Sequence, residues 1–346
     1  MRNRALLAAT TVFLSLISVM VVGSPTASAE TILPPSCATQ EALVGVSRTA
    51  GADRYEVSAE LSSDMFPPGT SVAFIASGSN FADALSGSAA AGYLGGPVLL
   101  VDKGDEAPLA VRTELNRLKP GRIVVLGGPA SVSTALEQTM RQFAPSVSRV
   151  SGADRFEVSA ALAAQTFGTL PETIYVASGE VFPDALSASP AAGTVSAPVV
   201  LVRKDDIPAS IERYLESAEG LKQIVIVGGP STVSSSVADS LSRFARVERE
   251  QGADRFEVSA ATSAHRFCSD RAMVFIASGE VFPDALSGAS LAIQWGAPVL
   301  LVSHDTIPFA VKQELRRLNP QHITVLGGEK TISKSVELKL ADYLWK

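Results

Sequence analysis

The feature that most constrains this sequence is a repeat of about one hundred residues. The tetrapeptide Gly-Ala-Asp-Arg occurs at residues 51–54, 152–155 and 252–255, and further matching segments follow it in the same order each time. A fixed period of this kind indicates tandem copies of one folding unit. The matches divide the chain into three units at residues 44–144, 145–244 and 245–346.

Within each unit, short apolar runs alternate with segments of helical periodicity. In the first unit the runs 72–77, 97–101 and 123–126 end in turn residues, which is typical of buried parallel strands. Between them lie segments such as 54–66, whose apolar residues recur at helical spacing. A weaker strand candidate, near 47–50 in the first unit, opens each copy. This alternation predicts an α/β fold in which each unit forms a parallel sheet.

The beginning of the chain predicts a signal peptide at residues 1–29. Arg2 and Arg4 precede an uncharged apolar stretch at 5–22, and Ala27-Ser28-Ala29 is a cleavage site of the small-x-small type. An uncleaved membrane anchor is the alternative, because an apolar stretch of this length just suffices to span a bilayer. With cleavage, the protein is secreted without a stable membrane anchor and starts with a leader at 30–43.

Composition limits the classes of function. Hydrophobic residues make up 46% of the chain, which is enough for a folded core. The net charge of −6 argues against a surface that coats nucleic acid. The three histidines all lie in the third unit, and neither a His-Glu-x-x-His motif nor a repeated cysteine occurs. We therefore predict that the protein is not an enzyme and needs no cofactor or metal.

Aspartates recur at two positions of each unit. Asp53 and its equivalents are followed three residues later by glutamate, a pattern close to a helix capping box, with ligand or metal contact as the alternative. The second set follows a Ser-Gly turn at a strand end, where open α/β sheets bind ligands and where a carboxylate also stabilises a helix start. The candidate ligand-binding aspartates of this second set are Asp83, Asp184 and Asp284.

A Gly-Gly pair ends another strand in every unit, at residues 127–128, 228–229 and 327–328. Exposed backbone amides at such a turn can hold an anion. A tight turn between strand and helix explains the glycines equally well.

Two arginines also recur in every unit. Guanidinium groups pair with phosphate and carboxylate in bidentate fashion, and linked weak sites gain avidity, so three equivalent pairs suit a polymer with repeated negative charges. Ion pairs within or between units are the alternative. The candidate ligand-binding arginines are Arg48, Arg54, Arg149, Arg155, Arg249 and Arg255.

The ordered motifs resemble the cell wall-binding repeat 2 family of Gram-positive bacteria. The resemblance rests on Gly-Ala-Asp-Arg-Phe-Glu-Val-Ser, Ala-Ser-Gly-x-x-Phe-x-Asp-Ala-Leu, Pro-Val-Leu-Leu-Val and Val-Leu-Gly-Gly, with Val200 and Val227 replacing leucine in the second unit. It covers essentially the whole chain after the signal peptide. It implies three tandem Toprim-like or Rossmann-like modules, arranged with pseudo-threefold symmetry, that bind anionic wall polymers of the teichoic-acid type.

Independent features fit such an arrangement. The segments 82–92, 185–193 and 285–292 are rich in alanine, glycine and serine and therefore invite close packing between units. Export permits a disulfide between the two cysteines, Cys37 and Cys268, which would help to close a ring of modules. Two free thiols are the alternative.

We therefore predict a secreted, wall-associated binding protein whose partner is an anionic wall polymer or peptidoglycan. Family modules often accompany a separate functional domain. Because the three units and the leader take up the chain after the signal peptide, three roles stay open: an anchor alone, a surface-coat component, or a part of a larger assembly with a surface-protein partner. The alternative functions are a wall hydrolase or amidase and an extracellular receptor for a small ligand.

Overall fold

The computed structural model describes residues 44–80 and 83–345. The predicted signal peptide and leader, with Cys37, lie outside the described residues. In the described part, strands and α-helices alternate strictly, and a short 3-10 helix follows at Ala341–Tyr343. The strands are β1 Gly45–Thr49, β2 Ala73–Ser77, β3 Val98–Val101, β4 Ile123–Leu126, β5 Val147–Val150, β6 Thr173–Ser178, β7 Val199–Val202, β8 Gln223–Val227, β9 Arg246–Glu250, β10 Met273–Ser278, β11 Val299–Val302 and β12 His322–Leu326. The α-helices are α1 Arg54–Met65, α2 Gly87–Tyr93, α3 Leu109–Leu118, α4 Thr134–Met140, α5 Arg155–Phe167, α6 Pro183–Gly193, α7 Ala209–Ser217, α8 Ser235–Leu241, α9 Arg255–Arg266, α10 Pro283–Gln294, α11 Phe309–Leu318 and α12 Lys334–Leu340.

The strands form three parallel sheets of four strands each. Their orders are β3-β2-β4-β5, β7-β6-β8-β9 and β11-β10-β12-β1. Strands β2, β3 and β4 are buried along their whole length, as are their apolar equivalents in the other sheets apart from the first residues. The apolar runs without alternation reflect this burial on both faces. The three α/β modules with parallel sheets thus agree with the prediction.

The strand that opens each repeat belongs to the sheet of the preceding repeat. Strand β5 pairs with β4, and β9 pairs with β8. Strand β1 pairs in the same way with β12, with Gly45 opposite His322 and Thr49 opposite Leu326. The sequence predicted a strand at this position, but it assigned the strand to the unit that follows. The N-terminal strand therefore completes the third sheet.

One helix from each repeat packs against the equivalent helices of the other two: α2, α6 and α10 contact each other in pairs. Between α2 and α10, the Ser88 hydroxyl donates to the Leu286 carbonyl at 2.8 Å. The contacts agree with the expectation that the small-residue helices pack between units. The pseudo-threefold symmetry and the Toprim-like or Rossmann-like label stay predictions.

At the centre of these contacts, three equivalent positions carry Gly92, Gly193 and Ile293. A methyl group added at Gly92 would lie 2.4 Å from an Ile293 side-chain carbon, and one at Gly193 would lie 2.5 Å from another. The isoleucine therefore occupies the space that two glycines leave.

Among residues 44–80 and 83–345, no helix has the length and apolar character of a membrane span.

Candidate binding site at the repeat junctions

Each Gly-Ala-Asp-Arg motif forms the start of a helix. The Asp53 Oδ1 atom accepts from the backbone amides of Tyr55 and Glu56, both at 2.9 Å, and the Glu56 carboxylate accepts from the Ala52 amide at 2.7 Å. The same bonds start α5 and α9. A methyl group at Gly51 would lie 2.8 Å from the Glu56 Cβ, which explains the glycine. The predicted pattern close to a capping box is thus confirmed, with the glutamate accepting from the residue before the N-cap, and it engages the first set of aspartates.

The second set of aspartates is buried beside the Gly-Gly loops. Asp83, Asp184 and Asp284 are 9%, 4% and 8% exposed. The Asp83 carboxylate accepts from the Ser131 hydroxyl at 2.7 Å, and Asp184 accepts from Thr232 at 2.8 Å. Asp184 and Asp284 lie in the first turn of α6 and α10, whereas Asp83 precedes α2.

The first glycine of each Gly-Gly pair makes room for this carboxylate. All three have positive φ, and a methyl group there would lie 2.1–2.4 Å from an aspartate oxygen. Close approach and backbone conformation therefore both require glycine. The three glycines are Gly127, Gly228 and Gly327.

Two of these aspartates, Asp184 and Asp284, face an arginine of another repeat. Burial raises the pKa of Asp284, and the charge of Arg54 and a hydrogen bond from Thr331 oppose this shift. Burial likewise raises the pKa of Asp184, against the Thr232 hydrogen bond and the charge of Arg255. These groups come from different repeats, so the motifs meet at the junctions.

The same arginines contact backbone and aromatic groups at the strand ends. Arg54 donates to the Gly78 carbonyl, and its guanidinium lies 5.8 Å from the centre of the Phe282 ring of the third repeat. Arg255 lies 5.9 Å from the Phe182 ring of the second repeat. Arg155 donates to the Gly179 carbonyl at 2.6 Å. Arg54 and Arg255 remain exposed, and Arg155 is half-buried.

The other three arginines that were predicted to bind ligand make hydrogen bonds within the protein instead. The Arg48 Nε atom donates to Glu337 at 2.6 Å, and its Nη1 atom donates to the Gly327 carbonyl at 2.7 Å. Arg149 makes the equivalent bonds to Glu137 and to the Gly127 carbonyl. In the second loop, Arg249 bonds the Gly228 and Val233 carbonyls, and burial lowers its pKa. These arginines hold the Gly-Gly loops, which is the alternative of internal pairing. Arg249 also lines a separate cleft beside Arg266, and none of the three lines the two clefts at the carboxyl ends of the strands.

Clefts open at two junctions, at the carboxyl ends of the strands. The cleft between the third and first repeats has a volume of about 460 Å³, and the cleft between the second and third has about 300 Å³. Among the described residues, no group of three or more histidine, cysteine, aspartate or glutamate side chains could hold a metal ion. The first cleft is lined by Asp53, Arg54, Asp284, Lys330 and Thr331, and the second by Asp184, Thr232, Asp254 and Arg255, among others.

Sequence reasoning missed the phenylalanines and hydroxyl groups of this site. Phe182 and Phe282 precede their aspartates by two residues, and a phenylalanine holds this position in every repeat. A serine or threonine follows the first glycine of each Gly-Gly pair by four residues. Both signals were present but looked like ordinary core and turn residues.

Cys268 is disulfide-bonded, but Cys37 lies outside the described residues, so their pairing stays a prediction.

Two curated relatives share part of their length with this chain. The N-acetylmuramoyl-L-alanine amidase LytC of Bacillus subtilis is 24% identical over 85% of this chain and 58% of its own length. The Amidase enhancer of the same organism is 29% identical over 70% of this chain and 33% of its own length. The chain thus spans about a third to three fifths of these relatives.

Solved structures and a family profile also match most of the chain. Cwp6 from Clostridium difficile matches 92% of this chain and 51% of its own, with a TM-score of 0.80 and 26% identity. Cwp8 from the same organism matches 86% and 51%, with a TM-score of 0.77 and 26% identity. The profile described as Cell wall binding domain 2 (CWB2) matches residues 48–137, 149–238 and 249–337. The chain therefore belongs to the Cell wall binding domain 2 family and is a cell wall-binding protein of three tandem repeats.

Proposed function

We propose that this protein is secreted and attaches noncovalently to an anionic glycopolymer of the cell wall through its three repeat junctions. The observation that carries the proposal is the equivalent placement of Arg54, Arg155 and Arg255 at the strand ends, where Arg54 and Arg255 line the two clefts. Linked weak sites on one rigid body gain avidity when the ligand repeats, and a polymer supplies that repetition.

The burial of the neighbouring aspartates supports an anionic ligand. Asp284 is 8% exposed, whereas Arg54 beside it is exposed, so of these two groups the arginine is the one that a ligand meets; the exposed Asp53 and Glu329 also line this cleft. A guanidinium has five N–H donors, and the bond to the Gly78 carbonyl takes one of them. Lys330 adds a second cation to the cleft between the third and first repeats.

The proposed partner is a polymer of the teichoic-acid type, with peptidoglycan as the alternative. The first experiment is co-sedimentation of the protein, expressed from Glu30, with purified walls before and after mild acid removes their anionic polymers. Loss of binding after acid treatment is the expected result. Unchanged binding would instead assign peptidoglycan as the partner. Absence of binding to either preparation would contradict the proposal and favour a small-ligand receptor.

The arginines are tested by the triple variant Arg54→Gln, Arg155→Gln and Arg255→Gln. A loss of about 0.7 kcal/mol at each of the three sites corresponds to about a thirtyfold weaker affinity for walls. The matched control removes three exposed cations near the amino ends of strands, with Arg122→Gln, Lys222→Gln and Arg246→Gln. If control and test variants lose the same affinity, net charge rather than the junctions explains binding.

We propose binding without catalysis, although one relative is named an amidase. Asp184 and Asp284 are buried and face hydroxyl and guanidinium partners, which is typical of a structural carboxylate rather than of one that meets substrate. Release of soluble fragments from purified walls would contradict this proposal. The triple variant Asp83→Asn, Asp184→Asn and Asp284→Asn would then test whether these aspartates are responsible.

A further inference from the structure

A separate cavity lies where the N-terminal strand joins the third repeat. It is enclosed by β1 and α1 of the first repeat and by β10, α10 and β12 of the third, and its volume is about 390 Å³. Volumes of this order are typical of sites for small molecules. None of the residues proposed to bind the wall polymer lines it, so it is a different site.

The walls of the cavity are aromatic and apolar, and its polar groups include one carboxylate. The Trp295 indole donates to the Met65 sulfur at 2.9 Å, which fixes the ring. The Thr49 hydroxyl donates to the exposed Asp64 carboxylate at 3.1 Å, which orients it. No lysine or arginine of the described ranges 44–80 and 83–345 lines the cavity. The apolar lining comprises Leu61, Met65, Met273, Phe275, Leu291 and Trp295.

The equivalent junction after the second sheet already holds a cation. There Arg266 stands at the repeat position of Met65, and its guanidinium lies 5.5 Å from the centre of the Tyr175 ring, the equivalent of Phe275. Its Nε atom also donates to the buried Glu250 at 2.9 Å. This junction therefore combines an aromatic ring, a carboxylate and a positive charge from the chain itself.

The third junction keeps the ring but has Thr49 at the position of Glu250 and the shorter, uncharged Met65 at the position of Arg266, and its carboxylate, Asp64, stands at the position of His265. Phe275 and Trp295 supply aromatic faces, and Asp64 supplies the negative charge at the same cavity. Organic cations bind favourably to aromatic faces, most of all where they leave water. At the second junction Arg266 is the cation beside the aromatic ring. At the third junction that place is available to a cation from solution.

We propose that this cavity binds a small organic cation with an apolar body, such as an aryl or quaternary ammonium. Its charge lies against Asp64, and its apolar part contacts Trp295 and Phe275. The site exists only when β1 is paired with β12, because Ser47 and Thr49 of β1 line it. This proposal does not depend on which wall polymer the junction clefts bind.

The probe is phenyltrimethylammonium, and the comparison compound is tert-butylbenzene, its uncharged isostere. The chain has two tryptophans, so the variant Trp345→Phe leaves Trp295 as the single indole reporter. Saturable quenching of Trp295 fluorescence by the cation is expected, with the isostere at least about fivefold weaker. Equal affinity for the two compounds, or no binding of the cation, would overturn the proposal.

Two variants and a matched control locate the site. Met65→Arg places in the cavity the side chain that the second junction uses, and it should abolish binding of the probe. Asp64→Asn retains an acceptor for Thr49 and should weaken binding about fivefold. Thr166→Arg makes the same change at the equivalent position of the remaining junction and should leave binding unchanged. Retained binding in Met65→Arg, with native circular dichroism, would overturn the assignment, as would equal loss in Thr166→Arg.

Discussion

The packing of Ile293 against two glycines leads to a prediction: the effect of Gly92→Ala on the unfolding free energy should change sign with the residue at position 293. Gly92→Ala adds a methyl group 2.4 Å from the Ile293 Cδ1 atom and 2.7 Å from its Cβ atom. The second contact involves an atom next to the backbone, so rotation of the isoleucine side chain cannot relieve both. The extra group must therefore move helices α2 and α10 apart.

Two terms of opposite sign set the magnitude. Overpacking of this kind costs about 2 kcal/mol of unfolding free energy. Alanine in place of glycine inside a helix returns about 1 kcal/mol. The net expectation for Gly92→Ala is a loss of about 1 kcal/mol. In an Ile293→Gly background all of these side-chain contacts are absent, so the same substitution should raise the unfolding free energy by about 1 kcal/mol.

Urea unfolding of the four proteins in this cycle measures the coupling, which should be about 2 kcal/mol. Gly128→Ala is the control, because a methyl group there meets no atom within 4 Å and should change stability by less than about 0.5 kcal/mol. If Gly92→Ala has the same effect with isoleucine and with glycine at position 293, the steric argument is refuted.

Three further perturbations test the capping box, the buried aspartates and the closing strand. Asp53→Ala removes the acceptor for two amides and should lower the unfolding free energy by about 1 kcal/mol in urea, whereas Asp53→Asn should change it much less. Burial raises the pKa of Asp184 above its ordinary 3.8, so the folded state binds more protons than the unfolded state just above that pH. The stability of the wild type should therefore fall relative to Asp184→Asn as pH rises through this window, and a constant difference would contradict the burial argument. Deletion of residues 44–49 leaves β12 as an open edge, so we expect association in size-exclusion chromatography, and a stable monomer would count against the edge argument.

Local chemistry explains why the elements themselves were predictable. The strand 123–126 was predicted at the bounds that β4 has, because an unbroken apolar run ended by Gly-Gly leaves few alternatives. The capping box was predictable because its bonds join residues within one turn. The start of α2 was not, since Asp83 precedes the helix although its equivalents lie within theirs.

The junctions depend on partners far apart in sequence, and no periodicity reveals them. Arg48 and Arg54 looked equivalent as ligands, yet Arg48 binds Glu337 inside the protein and Arg54 is exposed. The repeated serine of Glu-Val-Ser had no assigned role. In the structure, the Ser58 hydroxyl accepts from the Leu100 amide at 3.0 Å and so binds α1 to β3.

The pairing of β1 with β12 also imposes an order on folding. Ser47 and His322, whose side chains lie 2.7 Å apart, are separated by 275 positions. The residues of β1 are therefore synthesised long before those of β12. The first two sheets take all their strands from consecutive stretches and can form as synthesis proceeds. The third must wait for both ends, and such long-range pairing folds slowly. Until β1 pairs with β12, the backbone N–H and C=O groups of β1 have no neighbouring strand to bind. This is the interval in which two chains could exchange their first strands.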